Sequence, residues 1–144
     1  MTLCTIGFTR KSAEEFFGTL LKAGVRRVID VRLCNTSHLA GFAKKQDLAY
    51  FLRAIGDVEY VHRPDWAPTA GILDDYKSKA IGWDEYERRF CALIRDRHIE
   101  QSVDAGLLDT ASLLCSEPKP DRCHRRLVAE HLQKFFAGLT VCHL

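Results

Sequence analysis

Short apolar runs alternate with amphipathic stretches along the chain, and this alternation predicts strands separated by helices. Five runs have the length and residue types of strands, at residues 3–6, 25–31, 58–61, 111–115 and 140–143. The clearest helical stripe carries Trp83, Tyr86, Phe90, Leu93 and Ile94. Strands that alternate with helices indicate an α/β fold, here a three-layer domain with a mainly parallel sheet flanked by helices.

Sequence signals also predict where some helices begin and end. Ser12 and Glu15 have the spacing of a capping box, so a helix is expected to begin there and to end before Gly24. Residues 33–45 are polar, small and glycine-containing, which predicts a long loop. Asp121 is expected to cap the last helix. The core face of that helix should carry Leu127, Val128, Leu132, Phe135 and Phe136.

Composition limits the domain count, the compartment and the classes of partner. The 144 residues are 47% hydrophobic, which suits one domain over residues 1–144. A net charge of +2 gives no strong field, so attraction to nucleic acid would need a local basic cluster. No apolar run approaches the roughly 20 residues of a membrane span, and the first residues do not resemble a secretion signal. We therefore expect a cytoplasmic protein with no membrane partner, whose six cysteines are thiols.

Polar residues follow the first two predicted strands. Gly7, Thr9 and Arg10 come after the first strand, and Asp30 and Arg32 end the second. Ligands of parallel sheets bind outside the carboxyl ends of the strands, so these residues are candidates for a binding site. Period-2 alternation places Asp30 and Arg32 on one face, where they form either a structural ion pair or part of that site.

The densest polar group follows residues 111–115 and contains Cys115, Glu117, Cys123, His124 and Arg125. It immediately precedes or enters the last predicted helix. The N–H groups and the positive dipole end of a helix favour an anion there, and arginine binds phosphate with two hydrogen bonds. We therefore expect Cys123, His124 and Arg125 to contact a phosphate-bearing ligand.

The cysteines of this group have three interpretations. Cys115 is a candidate nucleophile, because nearby cationic groups and a helix N-terminus lower a thiol pKa. Alternatively, Cys115, Cys123 and His124 hold a metal, with His143 or His38 completing the site. A third possibility is that both thiols are buried packing residues. The C-x7-C-H spacing is not a recognised zinc spacing, so we assign no metal, and no cofactor is indicated.

Three segments together resemble the DUF488 family. They are T-I-G-F-T at residues 5–9, D-V-R at residues 30–32, and a C-x-E…C-H-R segment formed by Cys115, Glu117, Cys123, His124 and Arg125. The matching positions run in order from about residue 2 to 143. The resemblance implies an α/β domain of this size, and it implies no particular reaction.

The leading functional hypothesis is a hydrolase-like enzyme that acts on a phosphate-bearing ligand, such as a nucleotide or a nucleic-acid component. Glu117 or Asp30 would activate water. Trp66 and Phe42 would form the pocket wall and stack on a base. The anion would be bound by Arg10, Arg32 and Arg125.

Two alternatives remain open. One is a thiol-transfer enzyme that depends on Cys115, which predicts one fast-reacting thiol. The other is a non-catalytic module that binds an anion or nucleotide, which predicts tight binding without turnover.

Overall fold

The computed structural model describes residues 1–35 and 41–144, and these form a five-stranded sheet in which every paired strand is parallel. The strands β1 to β5 are Thr2–Gly7, Arg27–Asp30, Glu59–His62, Ala111–Cys115 and Thr140–His143. The helices α1 to α6 are Ala13–Lys22, Lys45–Gly56, Ala70–Lys77, Trp83–Asp96, Ala105–Leu108 and His124–Phe135. Short 3₁₀ segments occupy Gly41–Ala43, Pro64–Trp66 and Ile99–Ser102. The predicted α/β class and the parallel sheet are confirmed.

Both faces of the sheet are covered, as expected when helices connect parallel strands. The strand order is β3-β2-β4-β1-β5, and every residue of β4 is buried. Alternate side chains of a strand enter opposite cores: Leu113 packs with α4 and α6, whereas Leu114 packs with α1 and α2. The chain therefore forms three layers around two apolar cores.

Several predicted boundaries agree with the structure. The Ser12 hydroxyl accepts a hydrogen bond from the Glu15 N–H at 3.1 Å, so Ser12 is the N-cap of α1. Gly24 lies just beyond α1 with a φ of +71°, which is a conformation that glycine adopts without strain. Within the predicted loop of residues 33–45, residues 41–43 are helical, and residues 36–40 lie outside the described part of the chain.

Two predictions about the last helix are wrong. Asp121 does not cap α6, because residues 120–123 form a turn in which the Cys123 N–H donates to the Pro120 carbonyl at 3.2 Å. Cys123 is the N-cap residue instead, and it makes no side-chain capping bond. Phe135 does not enter the core, since 56% of it is exposed.

The register of the sheet brings three of the predicted site residues to one edge. Gly7 at the end of β1 pairs with Cys115 at the end of β4, and Asp30 at the end of β2 pairs with Leu114. The loops that leave these strands therefore meet at the carboxyl edge. Among the described residues, no helix is both long and apolar enough to cross a membrane.

Candidate functional site

A cavity of about 430 Å³ opens at the carboxyl edge of the sheet. Its buried lining includes Cys115, Cys123 and His124, which we call the thiol–imidazole cluster. Arg32 and Phe8 line it from the ends of β2 and β1. Helices α3 and α4 supply further lining through Leu73, Tyr76, Trp83 and Tyr86.

The thiol–imidazole cluster contains an oriented cysteine–histidine pair. The Nε2 atom of His124 lies 2.6 Å from the carbonyl oxygen of Val31. A carbonyl only accepts hydrogen bonds, so Nε2 carries the hydrogen and the neutral ring has its lone pair on Nδ1. This Nδ1 atom lies 3.7 Å from Cys115 Sγ. His124 is therefore placed to accept the proton of the Cys115 thiol.

The surroundings change the pKa values of the two thiols in opposite directions. The pKa of Cys115 is lowered, first by the hydrogen bond from Cys123 and then by the Ser116 backbone and the positive charge of Arg125, against the effect of burial. The pKa of Cys123 is raised well above its ordinary value by its hydrogen bond to Cys115 and by burial. Cys115 is therefore the thiol of the pair that loses its proton more readily, and Cys123 donates the hydrogen bond.

One donor of Arg32, a residue that lines the cavity, lacks an acceptor among the described residues. Its Nε and Nη2 atoms donate to the two carboxylate oxygens of Asp30 at 2.9 and 2.8 Å, and Nη2 also donates to the Ala43 carbonyl at 2.7 Å. Its Nη1 atom is buried and has no partner within residues 1–35 and 41–144. The guanidinium lies 5.1 Å from the Phe8 ring centroid. An anion in the cavity would supply the missing acceptor.

Asp30 holds Arg32 in place and does not line the cavity. It is fully buried, and besides Arg32 its carboxylate accepts a hydrogen bond from the Tyr60 hydroxyl at 2.6 Å. Asn35 donates to the same hydroxyl at 3.0 Å. Because Arg32 and Tyr60 engage both carboxylate oxygens, the structure favours the ion-pair interpretation of Asp30 over direct proton transfer.

Gly7 and Arg125 shape the loop that follows β4. A Cβ atom on Gly7 would lie 1.7 Å from the Glu117 carbonyl oxygen, so only glycine permits this approach. Arg125 is fully buried, and its Nη1 donates to the same carbonyl at 2.6 Å. Neither residue lines the cavity; both determine the path of the loop after β4, and the charge of Arg125 also lowers the pKa of Cys115.

Thr9, Arg10 and Glu117 line an adjoining, more open cavity of about 470 Å³. The Thr9 N–H donates to the Ser116 carbonyl at 3.1 Å, which joins the exit of β1 to the loop after β4. Glu117 is exposed and lines both cavities, as does Arg122. Arg10 and Arg32 therefore line different cavities, and Glu117 lines both of these cavities.

The predicted pocket walls are wrong. Trp66 is fully buried in the core shared with α4 and α6, and Phe42 packs on the other face of the sheet, 5.3 Å from Phe16. The aromatic lining comes instead from Tyr76, Trp83 and Tyr86, of which Trp83 and Tyr86 belong to the predicted helical stripe. The unusually dense run of aromatic residues before Phe90 was the available signal.

The thiol–imidazole cluster also has a donor set that suits a metal. Its three ligand atoms lie within 4.8 Å of one another, and a Cys₂His set is a known zinc donor set. His143 does not complete it, because its Nδ1 contacts the Thr5 hydroxyl at 2.7 Å on the β1–β5 side of the sheet. His38 lies outside the described residues. The described chain therefore offers three ligands here, and a fourth would come from the cavity.

Comparison with known proteins gives one family match. A family model described as "Domain of unknown function DUF488" matches residues 12–132 of the chain. The match covers most of the sheet, all of the thiol–imidazole cluster and both arginines discussed above, Arg32 and Arg125. No curated protein and no solved structure gives a match.

Proposed function

The chain belongs to the DUF488 family, and we propose that it is an enzyme that hydrolyses a phosphate ester with Cys115 as the nucleophile. The observation that carries the proposal is the oriented pair of Cys115 Sγ and His124 Nδ1, 3.7 Å apart, in the cavity at the end of β4. A thiolate is the reactive form of cysteine, and a neighbouring imidazole both accepts its proton and stabilises its charge.

Two features favour an anionic ligand next to this thiolate. Arg32 Nη1 is a buried cationic donor that lacks an acceptor among the described residues. The thiolate also lies beside the start of α6, where the positive end of the helix dipole favours an anion and no side chain caps the helix. A phosphate group satisfies both, because it offers several acceptor oxygens and a negative charge.

The proposed reaction has two steps. The Cys115 thiolate attacks phosphorus, so that an S–P bond forms while the ester P–O bond breaks, and the leaving oxygen takes a proton from the carboxyl group of Glu117. Glu117 then removes a proton from water, which attacks phosphorus and breaks the S–P bond. This step releases inorganic phosphate and restores the thiolate. Arg32 and the α6 N–H groups stabilise the negative charge in both steps, and Asp30 positions Arg32.

Hydrolysis of 4-nitrophenyl phosphate by purified protein tests the proposal. Cys115→Ser should lower kcat at least 1,000-fold, whereas Cys142→Ser, which changes an exposed thiol on β5, should leave kcat unchanged. Glu117→Gln should lower kcat far more for an alkyl phosphate than for 4-nitrophenyl phosphate, since nitrophenolate leaves without a proton. Retained turnover in Cys115→Ser would overturn the proposal.

A second candidate function is thiol transfer, and the position of Cys123 in the thiol–imidazole cluster favours it. A neighbouring thiol is what a resolving cysteine requires after Cys115 has formed a mixed disulfide. Cys123→Ser separates the candidates, because it should abolish the reduction of a small disulfide but leave a phosphate hydrolase active. Tight phosphate binding with neither activity would identify a non-catalytic module.

A further inference from the structure

Three aromatic side chains form one side of the cavity, and we call Tyr76, Trp83 and Tyr86 the aromatic wall. The ring centroids of Trp83 and Tyr86 are 5.0 Å apart with an interplanar angle of 23°, so these two rings are stacked. Tyr76 lies 4.9 Å from Tyr86 and 6.0 Å from Trp83. All three rings line the same cavity as Cys115 and Arg32.

Core packing does not account for the whole aromatic wall. The same stripe of α4 continues into Phe90 and Ile94, and both of these are fully buried. Tyr86 is nearly buried as well, but Trp83 and Tyr76 keep part of their surface exposed. Trp83 is therefore the end of an apolar stripe that the rest of the described chain covers only in part, and Tyr76 of α3 extends this partly covered surface.

Ion pairs hold the aromatic wall in place. Arg89 on α4 donates to Asp75 on α3 at 3.0 Å and to Glu85 at 3.0 Å, which ties the helix that carries Tyr76 to the helix that carries Trp83 and Tyr86. Preorganised aromatic surface binds a flat ligand without first having to be ordered. The geometry of the wall is thus fixed by contacts outside the cavity.

The aromatic wall begins close to the thiol–imidazole cluster. Tyr86 lies 6.3 Å from Phe90, whose ring in turn lies 5.5 Å from the His124 ring. A ring that stacks on the wall would therefore lie in the same cavity as a phosphate bound at Arg32 and Cys115.

We propose that the ligand is a phosphate monoester of an aromatic alcohol, with its phosphate at Arg32 and Cys115 and its ring on the aromatic wall. This inference rests on the proposed function for the position of the phosphate. A cavity of about 430 Å³ is within the usual range for small-molecule sites and has room for such an ester. Aromatic stacking of this kind typically contributes about tenfold or more in affinity.

Binding to the Cys115→Ser protein tests the ligand class without requiring turnover. We expect phenyl phosphate to bind at least tenfold more tightly than butyl phosphate by calorimetry, because the two differ in the flat ring and share the phosphate. Equal affinities for the two esters would overturn the inference. A mononucleotide that binds more tightly than phenyl phosphate would also overturn it, in favour of a spaced ring.

A variant of the wall provides the second readout. Trp83→Leu should weaken phenyl phosphate at least fivefold and leave the affinity for inorganic phosphate unchanged. Tyr50→Leu is the matched control, since Tyr50 is 58% exposed on α2 and should change neither affinity. If Trp83→Leu leaves phenyl phosphate binding intact, the ring does not contact the wall. Failure of hydrolysis by the unmodified protein would contradict only the proposed function, because these binding results do not depend on turnover.

Discussion

Cys115 and Cys123 are chemically identical residues to which neighbouring groups give different roles. Cys115 receives the Cys123 hydrogen bond and lies near a buried positive charge, Arg125, so its pKa falls below the ordinary 9.0. Cys123 donates that hydrogen bond to Cys115, and this bond, together with burial, raises the pKa of Cys123. The same hydrogen bond therefore lowers the pKa of Cys115 and raises the pKa of Cys123.

This difference predicts a pH profile for alkylation. A lowered pKa means a larger thiolate fraction at neutral pH, so Cys115 should reach half its maximal rate with iodoacetamide below pH 9.0. Cys123→Ala removes the donated hydrogen bond and should move this midpoint to higher pH. Mass spectrometry of modified peptides measures both, with the exposed Cys142 as the internal reference. A Cys115 midpoint at or above pH 9.0 would contradict the expectation.

The buried ion pair of Asp30 and Arg32 should contribute far more to stability than an exposed one. Asp30→Asn leaves the Arg32 charge uncompensated in the interior, which typically costs about 3–5 kcal/mol in the free energy of unfolding. Glu59→Gln breaks the pair with Arg27, in which the Glu59 side chain is 56% exposed, and should cost less than ~1 kcal/mol. Urea denaturation measures both changes. Equal losses of unfolding free energy in the two variants would show that burial does not strengthen the Asp30–Arg32 ion pair.

Residue types alone identified Cys115, Glu117 and His124 as candidates, because they lie in one segment of unusual chemistry. They did not reveal that Arg125 is fully buried or that the Tyr60 hydroxyl binds Asp30. Both facts depend on which loops meet at the sheet edge. The spacing of residues in the sequence does not show which loops contact each other in the folded protein.

Among the elements, the turn that leaves β1 and the loop that leaves β4 are packed against each other through Gly7. Gly7→Ala would place its Cβ against the Glu117 carbonyl, which is backbone and cannot rotate away. We expect a loss of about 1–3 kcal/mol in stability, typical of overpacking, together with reduced activity because the loop carries Glu117.

Gly18→Ala is the matched control for this substitution. Gly18 lies in α1 with nothing within 4 Å of an added Cβ, so alanine should stabilise the protein by about 0.5–1 kcal/mol through helix propensity. Thermal unfolding of both variants compares them directly. A stabilising Gly7→Ala would show that the loop is free to move aside.

Element boundaries were predictable where the signal is local, and the pocket walls were not. Ser12 caps α1 through a hydrogen bond within one turn, so its spacing to Glu15 was sufficient. Trp66 and Phe42 were assigned to the pocket because they lie in connecting segments, but a segment can fold over either face of a sheet. The stripe of α4 predicted a buried face correctly, and only tertiary packing decides that its Trp83 end stays uncovered.

At the scale of the whole molecule, the cavity is bounded by segments that are far apart in sequence. The end of β2, helices α3 and α4, and the start of α6 all contribute to it. A ligand that binds the folded protein and not the unfolded chain stabilises the fold, so inorganic phosphate should raise the Tm of the Cys115→Ser protein. The stabilisation is about 2.7 kcal/mol at a ligand concentration of 100 times Kd.

Differential scanning calorimetry tests this linkage. Potassium chloride at equal ionic strength is the control, since general screening of charge should produce a smaller shift. Arg32→Lys should reduce the phosphate effect, because lysine lacks the planar group that both pairs with Asp30 and leaves one donor free. Equal Tm shifts in phosphate and chloride would contradict a phosphate site in this cavity.

The sheet itself was predictable in class but not in order. Alternating strands and helices imply parallel pairing, because each connection must return the chain to the same edge. The order β3-β2-β4-β1-β5 depends on pairings such as Leu3 with Ala111, which no local pattern records. Burial on both faces of β4 was visible as a continuous apolar run, which is the mark of a central strand.

The place of β1 between β4 and β5 has a consequence for synthesis on the ribosome. Thr2–Gly7 pairs along both of its edges with strands that are synthesised more than 100 residues later, Ala111–Cys115 and Thr140–His143. Until those segments emerge, an apolar strand with two open edges is exposed to other nascent chains and to aggregation. The sheet therefore cannot be completed before Thr140–His143 has been made, and holding factors that shield the first strand should raise the yield of folded protein.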